Sequence, residues 1–541
     1  ENPKKIRKMI INSLNGSSFF EIANRKKAIQ TAIKESSLNE IILIAGKGHE
    51  TTQVYGKKII NTSDKKIISN TFFKIKKSSS KAFIQSSNSK ILFFLLKKKK
   101  NLNFKGVSIN SKEIKKNNLF IAIKGKNKDG HNYLKSAIKK GAKFCIVSKK
   151  IKDINVSKLL QVQNTYNFLK KLSIEKRKIS KGTIIAITGS SGKTTVKTIL
   201  GKILANFGNT YFSPKSFNNH YGVPISLCNL EENDEFGVFE VGMSRKNEIN
   251  KLSKLIKPDL AIITNIAEAH IENFKSIKDI AKAKSEIINN VKKSGTLILN
   301  RDDKFFNFLN NIAKKKKIKV ISFGHSTKSN IHPIFIKKKK GLSLIKIKAE
   351  EKIIYLKTKD TNISNILTVI AVLKTLNLDI YKIKDFFLSS NLVVGRGTEH
   401  KISRYNKKFN LIDESYNANP LSMKNAILNL SKIKRNDNKK YLLLGDMLEL
   451  GKKSNFYHKN LAKIINKTDI DKIFVYGEKV LNTFKFTKKN KQGNILQYQK
   501  DFDEVFSNII KKNDYLMIKG SNSTGLNNIS KNIIRRAKNV I

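Results

Sequence analysis

The stretch Thr183-Ile-Ile-Ala-Ile-Thr-Gly-Ser-Ser-Gly-Lys-Thr-Thr195 decides the fold. Its first five residues form an apolar, β-branched run that reads as a buried strand, and Val196 to Ala205 has helical spacing. A strand, a tight glycine-rich turn and a helix make a phosphate cradle, because backbone N–H groups and the helix N-terminus face the anion. Lys193 adds a point charge, and Thr194 can place its hydroxyl on Mg²⁺. The residues Gly189, Ser190, Ser191, Gly192, Lys193, Thr194 and Thr195 are therefore expected to bind a nucleoside triphosphate together with a metal. The spacing is shorter than the usual G-x-x-x-x-G-K-[ST], whose first glycine would fall at Ile187, and the short form points to a narrower group of ATPases.

Around this loop the chain runs to 541 residues, enough for three or four domains, and its 39% hydrophobic content supplies several cores. The formal charge of +67 would ordinarily suggest nucleic acid or an anionic membrane. Here the lysines are spread along the whole chain beside abundant Ile and Asn and no Trp, which reads as a coding bias rather than a binding stripe. The runs Lys97–Lys100, Lys314–Lys317 and Lys337–Lys340 are expected in solvated loops or on helix faces, and no nucleic-acid partner is expected. Residual anion attraction favours nucleotide substrates. Cys145 and Cys228 sit in apolar surroundings and read as small core residues of a reducing compartment, not as a disulfide. No stretch approaches the ~20 apolar residues of a membrane span. The longest candidate, Ile91-Leu-Phe-Phe-Leu-Leu96, is strand-sized, and no secretory signal is visible, so a cytoplasmic protein is expected.

Strand–loop–helix alternation divides the chain into blocks. Residues 1–75 hold a helical stretch, Arg25 to Lys34, a buried-strand run Glu40-Ile-Ile-Leu-Ile-Ala45, and Gly46-Lys-Gly-His-Glu50. Residues 76–90 read as a Ser/Lys-rich linker, and 91–175 as a small α/β domain. Residues 176–390 form the nucleotide-binding block with a mostly parallel sheet, and 391–541 a last α/β domain with strands near 409–412, 440–444, 472–476 and 514–518.

In open parallel sheets, ligands sit beyond the carboxyl ends of the strands. Phe236-Gly-Val-Phe-Glu-Val241 reads as a strand with Glu240 near that end, either a metal neighbour of Thr194 or an ordinary surface carboxylate. The next strand, Leu260 to Asn265, leads to His270, which is a credible metal or phosphate neighbour only through its place in the same sheet. A short helix over 279–287 carries Lys282 and Lys284, and composition singles out neither.

The order of the motifs resembles the MurF family, the UDP-N-acetylmuramoyl-tripeptide–D-alanyl-D-alanine ligases. It is carried by Ile187 to Thr195, Asn218-Asn-His-Tyr-Gly-Val-Pro224, Glu240-Val-Gly-Met-Ser244, Ala281-Lys-Ala-Lys-Ser-Glu286, Asp413-Glu-Ser-Tyr-Asn-Ala-Asn-Pro420 and Leu444-Gly-Asp-Met-Leu-Glu-Leu-Gly451, over residues 90 to 541. The resemblance implies a three-domain α/β ligase with a substrate domain, a central ATPase and a Rossmann-like last domain. It implies catalytic roles for Lys193, Glu240, His270 and Lys284, with Mg²⁺ held by Thr194, Glu240, His270 and a carbamylated Lys284. Asn300, Arg396, Asp413 and Glu414 would contact ATP, and Ser111, Lys112, His131, Asn218, Asn219, Tyr416 and Asn419 the substrates. The chain departs from the family at Asn110-Ser111-Lys112, where Asp-Ser-Arg is usual, so a bidentate arginine contact becomes a point charge. It also departs at Glu414 (usually Asp), at Lys359-Asp-Thr-Asn362 (usually Gly-x-His-Asn) and at Asn522 (usually Arg).

The first block resembles the C-terminal domain of a second family, MurE, through Glu1-Asn-Pro-Lys4 and Gly46-Lys-Gly-His-Glu-Thr-Thr-Gln53. It reads as a partial Rossmann-like domain without a phosphate loop, and the chain as a MurE–MurF fusion whose remaining MurE portion lies upstream of Glu1. The expected reaction joins D-alanyl-D-alanine to UDP-N-acetylmuramoyl-tripeptide through an acyl phosphate, within a monomer. Two rivals are folylpolyglutamate synthase, which the Ser415–Pro420 stretch argues against, and a basic nucleic-acid-binding ATPase. A third reading leaves the first block only as a docking module.

Overall fold

The computed structural model describes residues 3–13, 19–35, 42–45, 52–55, 58–61, 63–68, 70–71, 87–96, 102–152, 154–339, 342–359, 362–388, 395–435 and 437–537. The chain forms two compact units, Glu1–Lys90 with Lys99–Asn103, and Ile91–Lys98 with Phe104–Ile541.

In the first unit, helices Pro3–Asn12 and Arg25–Glu35 accompany an antiparallel hairpin, β1 (Thr52–Tyr55) and β2 (Lys58–Asn61). A small core gathers Ile29, Ile33 and Ile67, and Arg25 grips Asp64 at 3.0 and 2.6 Å. The buried strand expected over 40–45 does not form in its described part. Residues 42–45 carry no strand and Leu43 is 88% exposed. An apolar run becomes a strand only where neighbours pair it, and among the described residues β1 and β2 pair only with each other. Glu1, Asn2 and the run Gly46 to Thr51 lie outside the described residues. So does most of the linker, over 76–86.

The strand-sized run Ile91–Leu96 is instead the end of a helix, Ser87–Leu96. It buries Ile91 and Leu92 and exposes Phe93 and Phe94, a helical face that six apolar residues cannot distinguish from a strand by periodicity. No helix among the described residues is long and apolar enough to cross a membrane.

The second unit carries three sheets. Parallel strands β3 (Val107–Ser108), β4 (Asn118–Ile121), β5 (Ala142–Val147) and β6 (Leu159–Gln161) lie in sequence order. The largest sheet contains β7 (Thr183–Thr188), β8 (Thr210–Phe212), β9 (Phe236–Glu240), β10 (Leu260–Ile263), β11 (Thr296–Asn300), β12 (Lys319–Phe323), β13 (Ile331–Lys339), β14 (Leu342–Ala349) and β15 (Lys352–Thr358). Their order is β15-β14-β13-β12-β11-β10-β7-β9-β8, parallel from β8 through to the β12–β13 pair and antiparallel beyond it. The last sheet, β16 (Thr398–Arg404), β17 (Lys407–Glu414), β18 (Lys440–Gly445), β19 (Lys472–Tyr476), β20 (Gln492–Ile495) and β21 (Tyr515–Lys519), runs β16-β17-β21-β18-β19-β20, parallel except for β16.

Strand β7 is apolar on both faces because the central sheet is covered on both faces. Ile185 and Ile187 meet Val196, Ile199, Leu200 and Ile203 of the helix Lys193–Leu204, while Ile184 and Ala186 join the opposite core. That second core takes Leu252 and Ile256 of Glu248–Ile256, Ile280 of Ile277–Ser285 and Leu309 of Phe306–Lys315. Cys145 and Cys228 are buried and unpaired. Lys314–Lys317 is exposed at a helix end as expected, whereas Lys337 and Lys338 are exposed on strand β13 rather than in a loop.

Candidate active site

Three strands of the central sheet end at one place. The phosphate loop follows β7, Glu240 closes β9, and Thr264 and Asn265 follow β10. Because β9 and β10 flank β7, the three termini converge at the carboxyl edge of the sheet.

The loop is pinned from below. Asn265 Oδ1 accepts the Ser191 N–H at 2.9 Å, Thr264 Oγ1 donates to the Ser191 carbonyl at 2.6 Å, and Ser190 Oγ donates to the Ala267 carbonyl at 2.7 Å. Gly192 caps the following helix at φ 85°, a left-handed conformation that glycine adopts without strain. Gly189 lies at φ 149°, and a Cβ there would stand 1.9 Å from Thr264 Oγ1. Gly189→Ala is therefore expected to destabilise the fold by about 1–3 kcal/mol and to weaken nucleotide binding. Thermal unfolding with and without ATP checks both effects.

Glu240 is buried and fully engaged. Its Oε2 accepts the Thr194 hydroxyl at 2.7 Å and its Oε1 the Asn218 amide at 2.7 Å, with Lys197 Nζ at 4.0 Å. Lys193 Nζ and the buried Lys284 Nζ both donate to the Gly189 carbonyl, at 2.8 and 3.0 Å. Burial, with repulsion from Lys193, holds the Lys284 ammonium well below the ordinary lysine range. Burial also lowers Lys193 and pulls Lys197 down to about 8, with Arg396 adding to both and Glu240 opposing.

The last domain reaches this edge with several side chains. Arg396 Nη2 donates to Thr194 Oγ1 at 3.0 Å while its guanidinium lies over the Tyr416 ring at 4.6 Å. Tyr416 Oη and Ser216 Oγ share a hydrogen bond of 2.7 Å. Asn419 Nδ2 donates to the Ser190 carbonyl at 3.2 Å, and Glu449 stands 2.6 Å from His270 Nδ1. Lys519 Nζ holds Glu414 at 3.1 Å, a pairing that the longer glutamate at this position reaches. Together these groups line a cleft of about 2190 Å³.

The other expected residues are placed as follows. Asn218 and Asn219 line the cleft; Asn218 Nδ2 donates to Glu240, and Asn219 Oδ1 accepts the Tyr221 and Gly222 N–H groups in the turn before the helix Gly222–Cys228. His131 Nε2 accepts the Ser148 N–H at 3.0 Å, so its Nδ1–H faces Asp129 at 2.6 Å and both ring nitrogens are taken. Ser111, Lys112 and His131 lie outside the cleft lining. So do Asn300, whose Oδ1 accepts the Asp302 N–H, and Asp413, which is buried and accepts the Ser415 hydroxyl. Sequence reasoning passed over Ser216, Lys197 and Glu449. Ser216 and Lys197 carry no motif signal and Glu449 lies in the Leu444–Gly451 motif without being singled out there; the folded contacts with Thr194, Glu240 and His270 bring them forward.

The donor set suits Mg²⁺. No group of three or more His, Cys, Asp or Glu that could hold a metal occurs among the described residues. One carboxylate, Glu240, and one hydroxyl, Thr194, sit beside a phosphate cradle instead. Mg²⁺ is commonly held by one or two carboxylates plus substrate phosphates rather than by a protein cage.

Family profiles match three segments: the Mur ligase family, catalytic domain over 103–173, the Mur ligase middle domain over 187–373, and the Mur ligase, glutamate ligase domain over 400–522. The UDP-N-acetylmuramoyl-tripeptide–D-alanyl-D-alanine ligase of Rickettsia prowazekii is 33% identical over 442 residues, 79% of this chain and 95% of that one. The enzyme of the same name from Bacillus subtilis is 30% identical over 440 residues, 79% and 93% of the two chains. Among solved structures, MurF ligase from Thermotoga maritima in complex with ADP is 26% identical with TM-score 0.68, covering 81% of this chain and 100% of that one. MurF from Acinetobacter baumannii, at 24% identity and TM-score 0.72, shares the fold over 83% of this chain.

Proposed function

The chain belongs to the Mur ligase family, and on that premise we propose that it joins D-alanyl-D-alanine to UDP-N-acetylmuramoyl-tripeptide with ATP. The single observation that carries the reading is the convergence of the phosphate loop, Glu240 and the Ser415–Pro420 stretch in one cleft, in a chain this similar to ligases of that name. A carboxylate is a poor electrophile. The tripeptide carboxylate attacks the γ-phosphate, ADP leaves, and the amine of D-alanyl-D-alanine displaces phosphate from the acyl phosphate. Lys193 carries positive charge to the migrating phosphoryl group, and Arg396 brings a second cation from the last domain. Thr194 and Glu240 would hold Mg²⁺, which supplies charge neutralisation at the phosphates when bound. His270, whose Nδ1 lies 2.6 Å from Glu449, is the further residue that would help hold the metal. Docking of the last domain excludes water, which otherwise hydrolyses the acyl phosphate.

Lys284 is proposed to be carbamylated. Its burial and lowered basicity favour the neutral amine, the form that adds CO₂, and support that reading. The domain division at 91–175, 176–390 and 391–541 belongs to the same proposal. So does action as a monomer in the cytoplasm, since Arg396, Tyr416 and Asn419 complete the cleft within one chain. Residues 1–75 are proposed to be a MurE-like C-terminal portion fused ahead of the ligase. The motifs Glu1 to Lys4 and Gly46 to Gln53 support this.

Phosphate release from ATP and Mg²⁺, measured with each component omitted in turn, tests the function. Release is expected only with both UDP-N-acetylmuramoyl-tripeptide and D-alanyl-D-alanine present. Release indifferent to D-alanyl-D-alanine would refute the assignment.

A further inference from the structure

The hydroxyls around Thr194 form a chain whose direction follows from its carboxylate end. Glu240 Oε2 has no proton to give, so Thr194 Oγ1, 2.7 Å away, must donate to it. That commits the single Thr194 proton. Thr194 can then only accept at its other contacts, Arg396 Nη2 at 3.0 Å and Ser216 Oγ at 3.3 Å, and a Mg²⁺ ion held by its hydroxyl would take the place of the Arg396 contact. With Ser216 donating toward Thr194 across that longer contact, the 2.7 Å contact between Ser216 and Tyr416 runs from the phenol to the serine. The order is Tyr416 to Ser216 to Thr194 to Glu240. It starts in the last domain, 200 residues along the chain from Ser216, and ends on the buried carboxylate of the central sheet. Hydrogen bonds in series and in one sense polarise one another, so loss of the first weakens the rest.

We propose that Tyr416 and Ser216 are positioning residues that report docking of the last domain to the Thr194–Glu240 pair, an inference that rests on the ligase reading above. The phenol supplies the first proton of the chain, and Ser216 relays it without touching a reacting atom. Tyr416 keeps its place under the Arg396 guanidinium when only its hydroxyl is removed, so Tyr416→Phe isolates the chain from the stacking contact.

The test compares Tyr416→Phe, Ser216→Ala, Ser216→Thr and the Tyr416→Phe/Ser216→Ala double variant. Removing one link is expected to lower kcat about tenfold, the size of a single hydrogen bond in a dry site, with KM for D-alanyl-D-alanine within twofold. Ser216→Thr, which keeps the hydroxyl, is expected to stay near wild type. The double variant is expected to fall no further than either single one, because one broken link already opens the chain. Affinity for ADP, measured by calorimetry without turnover, is expected to follow the same non-additive pattern, with unliganded melting temperatures unchanged. Full activity of Tyr416→Phe, a multiplicative loss in the double variant, or Ser216→Thr as impaired as Ser216→Ala would each overturn the proposal. A wild-type enzyme that forms no amide refutes the ligase reading instead, and the ADP affinities then decide the hydroxyl chain alone.

Discussion

Lys193→Ala is expected to lower ligation about 10³-fold in a protein that remains folded. The fold survives because Lys193 opens the helix Lys193–Leu204 with its backbone, while its ammonium makes one bond, to the Gly189 carbonyl. Removing that bond costs about 1 kcal/mol. The loss of rate is larger because a phosphoryl group in transit spreads negative charge over its oxygens, and a water-poor cleft strengthens each cation that faces it. Lys197 and Arg396 do not replace the lost charge. Lys197 is committed to the Lys215 carbonyl and Glu240, and Arg396 is already assigned to the phosphoryl group in its own right. Steady-state phosphate release beside circular dichroism checks the prediction, and a loss under tenfold with native structure would remove Lys193 from the phosphoryl-transfer step.

Lys284→Met is expected to separate stability from activity. Lys284 is buried with its Nζ on the Gly189 carbonyl, and burial with repulsion from Lys193 lowers its pKa in the folded state. The unfolded chain, with a lysine pKa of about 10.4, binds that proton more tightly, so the folded state gains stability as pH rises. The penalty is full below the folded pKa and vanishes as pH passes the unfolded value. In carbonate-free buffer Lys284→Met should therefore be more stable than the parent by on the order of 1–3 kcal/mol near neutrality, with the gap closing toward pH ~10. Ligation should fall at least 10²-fold if a carbamate at this lysine helps hold the metal. Denaturant melts across pH and the carbamate signal of the parent in ¹³C-bicarbonate give independent readouts. Equal melts across pH would place the ammonium in a solvated setting, and undiminished ligation would dismiss the carbamate.

Those parts of the site that depend on local pattern were legible in the sequence. The β7–loop–helix unit is set by a continuous apolar run, glycines and Lys-Thr-Thr, and Glu240 by its place at the end of a strand. What stayed hidden depends on chain segments meeting. Lys197 is one of 108 basic residues, and no periodicity marks it. Ser216 gains its role from Tyr416, and Glu449 from His270, contacts that only the docked domains create. Asn218 and Asn219 were visible as a motif, but the motif did not foretell that Asn218 supports the Glu240 carboxylate and Asn219 the turn into the helix Gly222–Cys228. The run at 42–45 and the helix Ser87–Leu96 misled for one reason: a short apolar run carries no information about its pairing partners.

Asn419 binds two timescales together. Its Oδ1 accepts the Ser422 N–H at 2.8 Å and starts the helix Pro420–Ser431, while its Nδ2 holds the Ser190 carbonyl. Of the side chains that begin helices well, only an amide carries an acceptor and a donor on one rigid plane. Aspartate would keep the helix start and drop the grip, and serine has a single proton and a shorter reach. Fraying of that first helical turn, an ordinary fast motion at a helix end, therefore loosens the phosphate loop at the same moment. Gentle warming should erode turnover well before the global melt, because the first structure to soften is already attached to the chemistry.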